Sequence, residues 1–167
     1  MATAKKTPAK ASATAAAART DATALLQRDH AEVKKLFKQY EKLADAEADG
    51  AEREELAAQI CAMLTVHATI EEEIFYPAAR AAEIDDDLLD EASVEHASAK
   101  DLIAQIESMS PDDALYDAKV IVLGEYIDHH VQEEEGEMFP KCRKSKMDLA
   151  ALAEALAERK SELMAEA

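Results

Sequence analysis

From Asp21 onward, large apolar residues recur every three or four positions, the period of a helix that turns one face inward. Capping and turn signals divide this pattern into five stretches. The first, residues 21–48, carries Leu26, His30, Val33, Phe37 and Tyr40 on its inward face. It is expected to end at Asp49-Gly50, with the glycine as a left-handed C-cap. The second, residues 51–81, carries Leu56, Ile60, Met63, His67, Ile70 or Glu71, and Ile74. Pro77 lacks an N–H and should kink or loosen its last turns. Asp85 or Asp86 caps the third, whose inward face reads Leu89, Ala92, His96, Ala99, Ile103 and Ile106. Ser110-Pro111-Asp112-Asp113 opens the fourth, combining a serine cap, a proline in the first turn and acids facing the helix dipole. Its face reads Tyr116, Val120, Leu123, Ile127, His130, Glu134 and Met138. A short last helix, residues 147–165, carries Leu149, Leu152, Leu156 and Leu163 and is expected to pack as a cap. Long helices with short connections predict an all-α, antiparallel up-down-up-down four-helix bundle over residues 21–145, closed by a C-terminal capping helix in 146–167.

Composition agrees. The 167 residues hold three Gly, four Pro and no Trp, which favours helix over sheet. Residues 1–20 differ from the rest: Lys5, Lys6, Lys10 and Arg19 stand among alanines and threonines without an acid, and no large apolar residue follows Met1. Such a segment has nothing to bury and is expected to be a disordered basic tail. The chain as a whole carries a formal charge of −17, which favours solubility and argues against nucleic acid as a partner of the folded domain. Cys61 and Cys142 form neither a disulfide framework nor a C-x-x-C site and suit a reducing compartment. No apolar run approaches the ~18 residues of a membrane span, and the N-terminus lacks the apolar core of a secretory signal. A cytoplasmic protein without membrane attachment is the expectation.

Four of the inward positions are histidines and two are glutamates, which an apolar core does not explain. His67-Ala-Thr-Ile-Glu71 and His130-Val-Gln-Glu-Glu134 repeat one motif, each followed at the same offset by a proline, Pro77 and Pro140. Residues four apart share a helix face, so each motif aims an imidazole and a carboxylate at one point. His30 and His96 precede them in matching settings, Asp29-His30-Ala31 and Glu95-His96-Ala97. With neighbouring helices antiparallel, all four histidines fall in one layer about 14–20 Å along the bundle. A single histidine on an apolar face is ordinarily a hydrogen-bonded core residue, but four at one height with two buried carboxylates call for a cationic counter-charge. Four imidazoles and two carboxylates exceed a tetrahedral zinc site. They suit two metals with bridging glutamates, iron first and manganese second. Without metal, Glu71 and Glu134 would face each other as like charges, so folding and metal binding should be coupled. His129 lies about 100° out of phase, and Glu72, Glu73, Glu133, Glu135 and Glu137 read as a solvated face or as acceptors behind the ligands.

The segments H-A-T-I-E-E-E-I-F-Y-P and H-H-V-Q-E-E-E-G-E-M-F-P resemble those of the hemerythrin family, specifically bacterial hemerythrin-like proteins with the HHE cation-binding domain, over residues 21–143. The resemblance implies two iron ions, oxo- or hydroxo-bridged, on His30, His67, Glu71, His96, His130 and Glu134. Oxygen-carrying members have a fifth histidine four residues along the third helix, where this chain has Lys100. His129, a tyrosine such as Tyr126, another glutamate or water would have to replace it. The implied function is binding or sensing dioxygen, nitric oxide or a related oxidant at an open iron position. The alternative is an enzyme acting on peroxide or nitric oxide, with iron buffering third. Tyr40, Tyr76, Tyr116 and Tyr126 are candidate proton donors for an enzyme, although core packing is the commoner role of such residues.

Overall fold

The computed structural model describes residues 21–167; the expected basic tail, residues 1–20, lies outside them. Asp21 opens α1 (Ala22–Asp45), its carboxylate accepting the Ala24 N–H at 2.9 Å and so satisfying one donor of the first turn. The helix ends on Glu47, whose φ of 49° lets the Ala48 N–H reach the Leu43 carbonyl at 2.9 Å. A glutamate therefore takes the left-handed place predicted for Gly50. Gly50 is instead the first residue of α2, because Asp49 caps that helix by accepting the Ala51 N–H at 3.3 Å. The turn after α2 repeats the device with Glu83 at φ 57° and the Ile84 N–H on the Ala79 carbonyl.

α2 (residues 50–81) is continuous but not uniform: Gly50–Ile70 and Tyr76–Ala81 flank one wide turn, Glu71–Phe75, in which the Tyr76 N–H donates to the Glu71 carbonyl. The same π-type turn, Glu134–Met138, interrupts the later helix α4 (residues 116–144) and puts the Phe139 N–H on the Glu134 carbonyl. Pro77 and Pro140 follow directly. Proline donates no hydrogen bond and crowds the carbonyl four residues back, and the extra residue in the wide turn absorbs that misfit. The loosening predicted for the last turns takes the form of one widened turn just before Pro77. The insertion also rephases the helix, burying Phe75 and Tyr76 where Ile74 was predicted inward. Earlier in α2, Ala57, Cys61 and Leu64 are buried beside Ile60 while the predicted Leu56 and Met63 are half-buried, because α2 packs against α1, α3 and the last helix together.

α3 (Asp86–Glu107) starts at the predicted cap, Asp85, and buries the six residues predicted for it. Ser110 does not start α4: its N–H donates to the Asp113 carboxylate at 2.8 Å and the Asp113 N–H to its carbonyl at 2.9 Å, closing a separate turn before the helix begins at Tyr116. α1 and α3 each pack on α2 and α4, closing an antiparallel four-helix bundle, and α5 (Leu149–Glu166) lies along α1 and α2. Among the described residues there is no strand, and no helix is long and apolar enough to cross a membrane.

The buried apolar residues form two clusters. The near core, under α5 and around both wide turns, includes Leu26, Ile70, Phe75, Leu89, Met138, Phe139, Cys142 and Leu156. The far core includes Val33, Tyr40, Ile60, Cys61, Leu64, Ile103, Tyr116 and Leu123. Between them lies a polar layer.

Candidate metal centre

That layer consists of His30, His67, Glu71, His96, His130 and Glu134, none more than 9% exposed and the two glutamates at 0% and 1%. All six residues singled out in the sequence converge. The four imidazoles point Nε2 inward: His30 and His67 approach to 3.1 Å, as do His96 and His130. Glu71 lies between the pairs, with Oε1 3.0 Å from His67 Nε2 and Oε2 3.2 Å from His96 Nε2. Glu134 lies across from it, Oε1 being 2.8 Å from His130 Nε2 and 3.6 Å from His30 Nε2.

Every Nδ1 faces outward onto a carboxylate belonging to another helix. His67 donates to Asp29 on α1 at 3.1 Å, His96 to Glu72 on α2 at 2.9 Å, His130 to Glu95 on α3 at 2.5 Å and His30 to Glu135 on α4 at 2.9 Å. The four links form a closed ring in which each helix orients the histidine of the next. With Nδ1 donating, the neutral imidazole presents a bare Nε2 lone pair to the centre, the state a metal ligand requires. Glu72 and Glu135 thus accept from histidines of the layer, His96 and His30. The parts of Asp29 and Glu95 went unassigned, although an acid stands beside a layer residue at corresponding places in both halves: Asp29-His30 and Glu95-His96, Glu71-Glu72 and Glu134-Glu135.

Of the four tyrosines singled out in the sequence, Tyr76 is the one whose hydroxyl reaches the layer. Its hydroxyl lies 3.1–3.3 Å from His96 Nε2, His130 Nε2, Glu71 Oε2 and Glu134 Oε2. The one-residue insertion of the wide turn brings it inward. Tyr126, the tyrosine named as a replacement ligand, is half exposed, and Tyr40 and Tyr116 lie in the far core. His129 is 67% exposed and stands 3.5 Å from Glu95 and 3.2 Å from Glu133, outside the layer.

The electrostatics show what the layer lacks. Burial opposes charge on His67, but the facing Glu71 carboxylate and the bond to Asp29 outweigh it and hold the imidazole up at about 10. Burial likewise opposes charge on His130, which Glu134 and Glu95 raise to about 11. Burial would raise Glu71, yet His67 and His96 keep its carboxyl well below the usual range. Burial and the Glu71 charge push Glu134 up, and His130 and His30 reverse the sign. Burial, reinforced by Glu134 and Glu71, raises the Tyr76 phenol well above its ordinary value. Even so, Glu71 Oε1 and Glu134 Oε1 are fully buried without a hydrogen bond. They stand 3.0 and 2.8 Å from imidazole nitrogens that do not aim a proton at them. Converging donor atoms with orphaned buried carboxylate oxygens fit a multiply charged cation. Two sets meet this need and share Glu71: His30, His67, Glu71 and Glu134, and Glu71, His96 and His130.

On the far-core side of the layer is a cavity of about 30 Å³ walled by Val33, Leu64, Ala99, Ile103 and Ile127, with all four histidines on its floor. Thr65 and Lys100 stand at its rim.

A family model described as the hemerythrin HHE cation binding domain matches residues 21–163. The crystal structure of a hemerythrin HHE cation binding domain-containing protein from Mycobacterium kansasii has the same fold, with a TM-score of 0.72 at 25% identity, covering 87% of this chain and 88% of that one. A protein of Nostoc sp. (strain PCC 7120) named DNA nickase is 30% identical over 119 residues, which are 71% of this chain and 32% of that protein. This chain therefore spans about a third of that relative's length.

Proposed function

The chain belongs to the hemerythrin HHE cation-binding family, and from that membership we propose that His30, His67, Glu71, His96, His130 and Glu134 hold two iron ions that bind or sense dioxygen, nitric oxide or a related small oxidant. The observation that carries this reading is the pair of buried carboxylates set between two imidazole pairs, each with an oxygen left unpartnered. Mixed nitrogen and oxygen ligation favours iron, with manganese second. Bound there, iron would supply redox capacity and open coordination positions for a small ligand.

The protein's own contribution is orientation, exclusion of water and control of one proton. The ring of Nδ1 links holds the imidazoles in the ligating tautomer. The apolar cavity has about the volume of one water molecule, which admits a diatomic or peroxide and leaves no room to store iron. This counts against iron buffering. Residues 21–145 form the metal-binding unit in this reading, and residues 146–167 a helix laid against it.

Tyr76 favours a second reading. Its hydroxyl carries a proton at the edge of the His96–His130 pair, where the sequence offers no fifth imidazole. It would serve either as an added oxygen ligand or as the proton donor of an enzyme acting on peroxide or nitric oxide. The activity named for the Nostoc relative is said of a protein of which the match covers 32%, and it carries no weight in the reading.

Purified protein should contain close to two irons per chain, and an anaerobic titration with oxygen, peroxide and nitric oxide should separate carriage and sensing from turnover. His130→Ala should lose at least one iron, whereas His129→Ala should keep both. One zinc and no iron after iron-replete expression would sink the reading. Tyr76→Phe divides the second reading: loss of a visible tyrosine-to-iron absorption band marks a ligand, and slowed peroxide turnover with an unchanged spectrum marks a proton donor.

A further inference from the structure

Lys160 reaches from α5 into the seam between α1 and α2, where only 28% of its side chain is exposed, and places Nζ 2.5 Å from Asp29 Oδ1. The other oxygen of Asp29 accepts the Nδ1–H of His67 at 3.1 Å. We propose that Lys160 is a positioning residue of the metal centre: acting through Asp29, it sets the orientation and donor strength of His67 from a helix outside the bundle. This rests on the reading that His67 ligates a metal.

A carboxylate on the Nδ1–H of a ligating histidine draws that proton outward and makes Nε2 a stronger donor. An ammonium on the same carboxylate takes up part of its charge and weakens the pull. The four histidines are unequal in this respect. Asp29 behind His67 is answered by Lys160, and Glu72 behind His96 by Lys100. Glu135 behind His30 and Glu95 behind His130 have no lysine or arginine at ion-pair distance among the described residues. The two imidazoles beside Glu71 are thus damped by lysine, and the two beside Glu134 are not. Lys100 is half exposed and lies on the same helix as the His96 it serves. Lys160 is better enclosed, and its carboxylate is 6% exposed, so the pair escapes most of the solvent screening that makes surface ion pairs weak.

α5 contains its own control. Arg159, next to Lys160, pairs with Glu73 at 2.7 Å on the surface, and the Glu73 side chain forms no hydrogen bond or ion pair with a layer residue. Removing Arg159 loosens the docking of α5 without changing any carboxylate behind a histidine.

Full-length wild type, Lys160→Met, Lys160→Arg and Arg159→Met should be titrated with cobalt(II) under nitrogen. Affinity is read by competition with a chelating indicator, and site geometry from the visible d–d spectrum. Lys160→Met leaves Asp29 unanchored behind His67, a loss of orientation that outweighs the gain in donor strength, so it should bind cobalt about 10-fold more weakly and shift the d–d band. Lys160→Arg should recover most of both, and Arg159→Met should match wild type in both. In an Asp29→Asn background, Lys160→Met should add no further loss, since its path to His67 is already cut. If Lys160→Met does not fold, Lys160→Gln takes its place. Wild-type affinity and spectrum in the Lys160 variant would overturn the proposal, as would an equal shift in Arg159→Met or a full additional loss over Asp29→Asn. A wild-type chain that takes up no cobalt would fail differently, by overturning the metal reading itself.

Discussion

In the far core Tyr40 donates its hydroxyl to Asp117 at 2.6 Å, an acid that Arg53 also holds, and the contact closes the end of the bundle. In the near core Tyr76 turns the same group into the layer of histidines and glutamates, within 3.3 Å of four of them. The residue types are identical and both are buried. What separates them is helix phase: the far core is built on regular turns, whereas both wide turns, both following prolines and the packing of α5 fall in the near core. A role in the site therefore follows from where a helix gains a residue more than from the side chain itself.

Core truncation should break the comparison most strongly. Phe139→Ala and Leu123→Ala should each cost about 2–5 kcal/mol in denaturant unfolding. Only Phe139→Ala should also weaken metal binding by the folded protein, because its ring stacks on His30 at a centroid distance of 5.9 Å. Equal metal affinities in the two variants would dissolve the distinction.

The metal-free layer should respond to pH in a direction set by its imidazoles. His67 and His130, held up at about 10 and 11 by the facing glutamates against the opposing effect of burial, favour the fold when protonated. Their contribution is complete below their ordinary value near 6.5 and is lost as pH rises through those folded values. Metal-free protein should lose on the order of a few kcal/mol between pH 6.5 and 9 by urea unfolding. A metal-free stability that rose over this range would contradict that sign.

Cys61 and Cys142 sample the two cores separately. Burial pushes each thiol up to about 11, with Glu107 adding to the effect at Cys61 and Glu134 at Cys142. Neither should react with a maleimide at pH 8 in the metal-loaded protein. Metal removal should speed labelling of Cys142 more than that of Cys61, as read by peptide mass spectrometry, and equal acceleration would mean that the layer supports both cores alike. The smallest effect belongs to the turns: Glu47→Gly and Glu83→Gly should each stabilise by about 1 kcal/mol or less by relieving a left-handed side chain.

Much of this was legible in the sequence, because helical period and ligand spacing are local. The inward face of α3 and the convergence of six polar residues followed from counting threes and fours. Tyr76 was not legible that way: counted in regular turns from His67 it falls off the inward face, and only the wide turn returns it. The repeated six-residue step from each glutamate to its proline was the available signal, Glu71 to Pro77 and Glu134 to Pro140. Glu47 escaped because a glycine three residues later drew the C-cap assignment to itself. Lys160 lies 131 residues from Asp29, and no local pattern joins them.

The ring of carboxylates also makes the bundle count. A helix that slides by one residue moves about 1.5 Å along its axis and turns about 100°. It then forfeits two links together, the carboxylate it extends to the next helix and the one its own histidine receives. No single element can be misaligned at the expense of itself alone, so near-miss alignments are penalised from both neighbours and the correct one is favoured as a set. The polar layer, costly to bury, is in this sense an alignment gauge that four otherwise interchangeable apolar faces do not possess.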